Sequence, residues 1–140
     1  MQIVLDTNVL ISFLLSHGET ISRILDAWAQ DRFTLCLSPQ ILSEIRRVLE
    51  YPHLKSRIKP EEAQALLDNL SSDALLIEGT VTATGTTADP KDDIFIACAL
   101  EAKADIIVSG DPHLVKIEHY GAVRIVTPAQ FVEILRESQN

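Results

Sequence analysis

Cysteine is scarce in this chain. There are two, Cys36 and Cys98, and no CxxC or HxxxH spacing accompanies them, so a structural zinc centre is not expected. Both sit inside apolar runs, FTLCLS and IFIACAL, where a reduced thiol packs as a small core residue. No apolar run approaches the ~20 residues that cross a bilayer, and no membrane segment is expected. The opening MQIVL is too short for a secretory leader and has no basic residues ahead of it. With reduced cysteines, that makes a cytoplasmic protein the expectation. Positive charge is also short: 12 Lys and Arg face 20 Asp and Glu, for a net charge of −8. Such a balance argues against a domain that holds nucleic acid by bulk electrostatics. Repeats, charge blocks and long linkers are missing as well. What remains is an ordinary soluble composition, 46% hydrophobic and 23% charged, in 140 residues. That length fits one domain, residues 1–140, with a real core.

The acidic average hides one local reversal. Arg46, Arg47, Lys55, Arg57 and Lys59 fall within fourteen positions against the single acid Glu50. A solvated helix end explains such a cluster as simply as any binding role.

Strand-like and helical stretches alternate. QIVL reads as a buried strand, and NVLISFLL and the stretch from Glu19 to Gln30 as helices. FTLCL is the next strand. SPQILSEIRRVLE starts a helix with Ser38 as cap and Pro39 in the first turn, its Ile41, Leu42, Ile45, Val48 and Leu49 on one face. PEEAQALLDNL is helical and ALLIE a short strand. GTVTATGTTA, residues 79–88, is expected to be an extended, mobile connection, either a lid beside the next helix or a plain loop. That helix is placed from Pro90 to about Ala102, followed by the strand DIIVSG, a turn at Asp111–Pro112 and the strand VRIV. The closing helix TPAQFVEILRE carries a capping box in Thr127 and Gln130. The alternation implies a mostly parallel sheet covered by helices, with ligands bound beyond the carboxyl ends of its strands.

Two acids occupy such ends. Asp6 follows QIVL and Asp111 follows IIVSG. Taken singly, each is explained as the N-cap of the next helix, and Pro112 strengthens that reading for Asp111. The run ADPKDD breaks the tie. If Asp89 caps and Pro90 opens the helix, Asp92 completes the cap and Asp93 is surplus. Asp93 leads into IFIACAL, apolar nearly all round, so it enters a buried helix. The macrodipole favours an acid there by only ~0.3–1 kcal/mol, far less than the desolvation cost of an unpaired carboxylate. Asp93 therefore needs a partner. Glu44 stands at the margin of its helix's apolar face, with a surface ion pair to Arg47 as the plain alternative. Four converging carboxylates without histidine or cysteine would raise one another's pKa values unless a cation neutralised them. All-oxygen donors select hard ions such as Mg²⁺ or Mn²⁺, which activate water and stabilise the charge developing at a phosphodiester.

Together VLDTNVLIS, the helical SEI, DDIFIACAL, and DIIVSGDPHL followed by VRIVTPAQF resemble the PIN-domain family. The chain is most similar to its branch of bacterial toxin–antitoxin toxins, related to the VapC-type ribonucleases. The likeness runs from Ile3 to about Leu135. It implies an α/β/α sandwich around a mostly parallel sheet and a Mg²⁺- or Mn²⁺-dependent ribonuclease. The family's acids match Asp6, Glu44, Asp93 (in preference to Asp92, because IFIACA follows it in register) and Asp111. Asn8 matches a hydrogen-bonding organiser and Ser109 an assisting hydroxyl. The resemblance also implies an RNA substrate, an antitoxin partner and a homodimer. On this reading the basic island becomes a phosphate-contacting surface, and His113, beside Asp111, a substrate contact.

Two other enzyme classes fit less well. A haloacid-dehalogenase-like phosphatase needs a second aspartate two positions after the first, where this chain has Asn8. A phospho-receiver domain needs an early acid pair and a conspicuous late lysine. The non-enzymatic rival is a PIN-like interaction module whose acids only cap helices. The remaining histidines, His17, His53 and His119, read as solvated, and Trp28 as core.

Overall fold

The computed structural model describes residues 1–83, 89 and 91–138. Strand β1 (Gln2–Leu5) buries Ile3, Val4 and Leu5 in succession. Successive strand side chains point to opposite faces, so burial of consecutive residues means that both faces of the sheet are covered. The same holds for β2 (Thr34–Leu37) at Leu35, Cys36 and Leu37, and for β4 (Ile106–Val108) throughout. With β3 (Leu75–Leu76), β5 (His119–Tyr120) and β6 (Val123–Val126) they form one sheet in the order β3-β2-β1-β4-β6-β5. Every pairing is parallel except β5 with β6. The architecture is the expected three-layer α/β/α sandwich.

The helices are α1 (Thr7–Ser16), α2 (Glu19–Ala29), α3 (Pro39–Leu49), α4 (Pro52–Lys55), α5 (Pro60–Asp73), α6 (Asp93–Ala102), α7 (Pro112–Val115) and α8 (Pro128–Glu137). Helix α3 starts where Ser38 Oγ accepts from the Ile41 N–H at 3.2 Å, and it buries Ile41, Ile45 and Leu49. Thr127 and Gln130 form the capping box of α8. Helix α6 packs on β1, β2 and β4, and α2 packs on α8. Phe33 and Phe131 meet edge to face at 5.3 Å in the core. Both cysteines are free and buried, and burial pushes the Cys98 thiol up to about 12. Among the described residues, no helix is long and apolar enough to cross a membrane.

Two expectations change. Helix α6 begins at Asp93 and not three residues earlier, because Asp89 closes a turn of its own. Its Oδ1 accepts from the Lys91 N–H at 3.0 Å and its carbonyl from the Asp92 N–H at 2.9 Å. Asp92 then takes the N-cap position without a side-chain capping bond. The connection after β3 is expected to be mobile, but its described part is tied down. The Glu101 carboxylate accepts from the N–H groups of Gly79, Thr80 and Val81 at 3.1, 2.8 and 3.0 Å. Gln40 Nε2 donates to the Gly79 carbonyl at 2.9 Å. The backbone N–H groups of Val81, Gly79 and Thr80 hold the Glu101 carboxyl below its ordinary pKa. The rest of the expected lid, residues 84–88, lies outside the described residues, as does Pro90.

Gly79 has φ +80°, and a Cβ there would run into Gln40 and into Pro39 Cδ at 2.9 Å. Gly79→Ala is expected to destabilise the protein by about 1–2 kcal/mol from backbone conformation alone. Chemical denaturation checks this through a lowered midpoint at unchanged slope.

Candidate functional site

The sheet changes direction between β1 and β4. From β1 the chain builds outward through β2 to β3; on the other side it passes from β4 to the edge strand β5 and returns as β6 between the two. A crevice opens at such a point beyond the strand ends. The Asp6 N–H donates to the Val108 carbonyl at 2.9 Å, fixing the ends of β1 and β4 side by side. Asp6 and Asp111 therefore arrive at the same crevice from different strands.

Both acids are helix caps as well. Asp6 Oδ1 accepts from the Asn8 N–H at 3.2 Å, and Asp111 Oδ1 from the His113 N–H at 2.9 Å. Capping and site-building, read in the sequence as alternatives, coincide. Ser109 joins the two: its Oγ donates to Asp6 Oδ2 at 2.6 Å and accepts from the Asp111 N–H at 3.0 Å. Ser109 is fully buried and Asp6 only 3% exposed. Burial raises the Asp6 pKa; the bonds from Ser109 and Asn8 oppose that rise, and Glu44 and Asp111 add to it.

Glu44 reaches the site from α3. Its Oε2 accepts from Thr7 Oγ1 at 2.8 Å, and its Oε1 lies 3.6 Å from Arg47. The ion pair weighed as the plain alternative is real, yet the carboxylate also faces inward, its side chain 14% exposed.

The third acid differs from the sequence reading. A cavity of about 430 Å³ is lined by Asp6, Glu44, Asp111 and Asp92, and by the more exposed Asp89. Asp93 does not line it. It lines a separate cavity of about 240 Å³ with Ser38, Gln40, Val81 and Cys98, beneath the strap held by Glu101. The reason is the late start of α6: with Asp92 outside the helix as its N-cap, one residue of difference turns Asp93 away. Asp92 is 9% exposed, and its carboxyl is pushed up to about 7, first by burial and then by Asp111, Asp6 and Asp89. It shares a hydrogen bond with Asp111. Among the described residues, no three His, Cys, Asp or Glu side chains stand close enough to hold a metal ion as they are. A proton on Asp92 takes up part of the repulsion that a cation would otherwise neutralise.

The remaining expectations divide. Asn8 lines the cavity, but its backbone N–H, not its amide, makes the bond to Asp6. Of the basic island, Arg47 alone lines the acid cavity. Arg46 and Lys55 line another hollow, of about 390 Å³, with Leu49, Ile58 and Leu67, and Lys55 pairs with Glu50 at 2.7 Å. Arg57 and Lys59 are exposed between α4 and α5. His113 is exposed, and its backbone rather than its ring meets Asp111. Sequence reasoning missed Thr7, Asp92, Lys91, Tyr51 and His53, all of which line the acid cavity. For Thr7 a signal existed, since a polar residue two steps past a buried strand must find a partner.

Comparison with known proteins gives three findings. The family model described as the PIN domain matches residues 2–113. A protein of Methanocaldococcus jannaschii known as uncharacterized protein MJ1680 is 28% identical over 141 residues, spanning 95% of this chain and 90% of its own length. Among solved structures, that of VapBC2 from Rickettsia felis bound to a DNA fragment from their promoter superposes with a TM-score of 0.63 at 17% identity. It covers 91% of this chain and 98% of the matched one. At that identity the likeness is one of fold.

Proposed function

The chain belongs to the PIN-domain family, and on that premise we propose that it is an endoribonuclease dependent on Mg²⁺ or Mn²⁺, acting as the toxin of a toxin–antitoxin pair. The observation that carries this reading is the acid cavity at the β1/β4 crevice, in which one carboxyl is pushed towards neutrality by burial and by its acidic neighbours. Asp6, Glu44, Asp92 and Asp111 are the proposed metal-holding and catalytic set, with Asp92 in the place first given to Asp93. The donor set fits a hard divalent ion: every candidate ligand is a carboxylate oxygen. When bound, such an ion supplies an activated water and charge neutralisation at the phosphodiester.

The chain's own residues do the rest. Ser109 holds Asp6 in one rotamer and, through the Asp111 N–H, keeps the two strand-end loops in register. Thr7 fixes Glu44 from across the crevice. Asp92 would give up its proton to an ion held there, and Arg47 offers a cation to a phosphate oxygen at the rim. An antitoxin and a second copy of the chain are the proposed partners, which co-purification and light scattering test.

Cleavage of a mixed single-stranded and structured RNA pool is the direct experiment, run with Mn²⁺, with Mg²⁺ and with EDTA, beside Asp6→Asn. Metal-dependent cutting should fall by a factor on the order of 10²–10³ in the variant, the usual scale for losing one charge-stabilising group. Equal residual activity in both proteins would expose a contaminant. No cutting, with a melting temperature indifferent to saturating Mn²⁺, would favour the interaction module instead. A ligand that binds only the native state must raise stability.

A further inference from the structure

The acid cavity has a second wall, in which hydrolysis gives a part to Arg47 alone. Arg47 lies over the Tyr51 ring, 5.8 Å from its centroid, and donates to Tyr51 Oη at 2.6 Å. The Tyr51 and His53 rings stack in turn, their centroids 6.0 Å apart and their planes 27° from parallel. All three side chains line the same cavity as the four acids.

The short turn of helix that presents the rings is firmly placed. Its Leu54 is buried, the Tyr51 carbonyl accepts from the Leu54 and Lys55 N–H groups at 3.0 and 2.8 Å, and the Tyr51 N–H donates to Val48. The plainest alternative is an incidental i,i+4 contact between Arg47 and Tyr51 beside a solvated histidine. It accounts for the Arg47 bond but not for an exposed imidazole stacked at 27° to the phenol at the mouth of an acidic site.

We infer that Tyr51 and His53, backed by Arg47, form a platform on which an unpaired base of a single-stranded RNA stacks while the adjoining phosphodiester lies at the acids. The phosphodiester half of this inference rests on the nuclease reading; the platform itself does not. Three considerations support it. A chain of net charge −8 gains little affinity for a polyanion from its overall field. Stacking on an aromatic face is indifferent to charge and tolerant of sequence, since every base has such a face. In a duplex those faces are already covered by neighbouring bases, so the platform selects single strands.

The test titrates single-stranded RNA containing 2-aminopurine, whose fluorescence is quenched when the base stacks, against protein carrying Asp6→Asn to prevent cleavage. Quenching is expected, with affinity reduced about tenfold by an added Tyr51→Ala. Tyr51→Phe and Tyr51→Trp should retain it, because they keep the ring, whereas His53→Ala should weaken it to a smaller extent. Equal affinity of the Tyr51→Ala and parent proteins overturns the proposal, as does duplex binding as tight as single-strand binding, or no binding at all. If Tyr51→Ala does not fold, an abasic site scanned along the RNA decides: no position at which it weakens binding overturns the platform. Cleavage is measured in parallel without Asp6→Asn. Tyr51-dependent quenching without cleavage sinks the nuclease reading and leaves the platform standing. Cleavage with the same KM in Tyr51→Ala does the reverse.

Discussion

Asp92→Asn should yield a protein that is harder to melt and nearly inactive, while Asp93→Asn keeps most of its activity. The two residues are neighbours in sequence, but only Asp92 lines the acid cavity. Its carboxyl is pushed from 3.8 to about 7 by burial and by Asp111, Asp6 and Asp89. At pH 8 the metal-free protein therefore carries an ionised group that its surroundings resist. Asparagine keeps the shape and removes the charge. A gain of about 1–2 kcal/mol is expected, after allowing for water that relaxes part of the repulsion in an open cavity. That is several degrees in melting temperature for a domain of this size. Metal-dependent cleavage should drop by a factor on the order of 10²–10³ in the same variant, and within a few-fold in Asp93→Asn. Scanning calorimetry in EDTA and initial rates in Mn²⁺ give the two readings. Should Asp93→Asn be the inactive one, the assignment of the third acid returns to the register of IFIACA.

The second large effect is a pH dependence whose sign follows from the same group. In its folded state Asp92 binds its proton up to about pH 7, whereas in the unfolded chain it loses it near 3.8. Between those values the folded protein holds more protons than the unfolded one, so stability falls as pH rises through the window. The contribution is fully present below 3.8 and gone above about 7. Asp6, also raised, acts in the same direction. A divalent cation must displace the Asp92 proton, so its stabilising effect has the opposite trend. Saturating Mn²⁺ should raise the melting temperature little at pH 5 and fully at pH 8, and this slope should largely vanish in Asp92→Asn. A shift of equal size at both pH values would mean that the ion binds elsewhere.

Much of this was legible before any coordinates. β1, β2 and β4 are short apolar runs bounded by polar residues, β6 is apolar but for the outward Arg124, and the caps at Ser38 and Thr127 obey local rules that tertiary structure had no cause to override. The strand-end acids were legible because the doubly covered parallel sheet admits ligands at one edge only. What could not be read is what depends on a single residue of register. ADPKDD offers two starts to one helix, and the choice falls to the Asp89 side chain, which bonds two residues ahead and delays it. Periodicity has no purchase on α4, α7 or β5, each four residues or fewer. That is why His53, carried into the cavity by α4, was read as solvated, and Tyr51 beside it was not singled out. The basic island was visible as composition, but composition says nothing of direction, and its members face three different ways.

Asp6 and Asp111 each start a helix and face the crevice, which bears on how such a protein can change over generations. Alanine at either position removes chemistry and architecture together, since a lost cap costs about 1 kcal/mol or more. Asparagine caps as well as aspartate does, and Ser109, with a hydroxyl that can turn, can accept from an amide as readily as it donates to a carboxylate. Between a working hydrolase and an equally well-folded descendant that only binds its partners stands the exchange of one oxygen for one nitrogen. A lineage in which cutting became harmful could take that step without passing through an unstable intermediate.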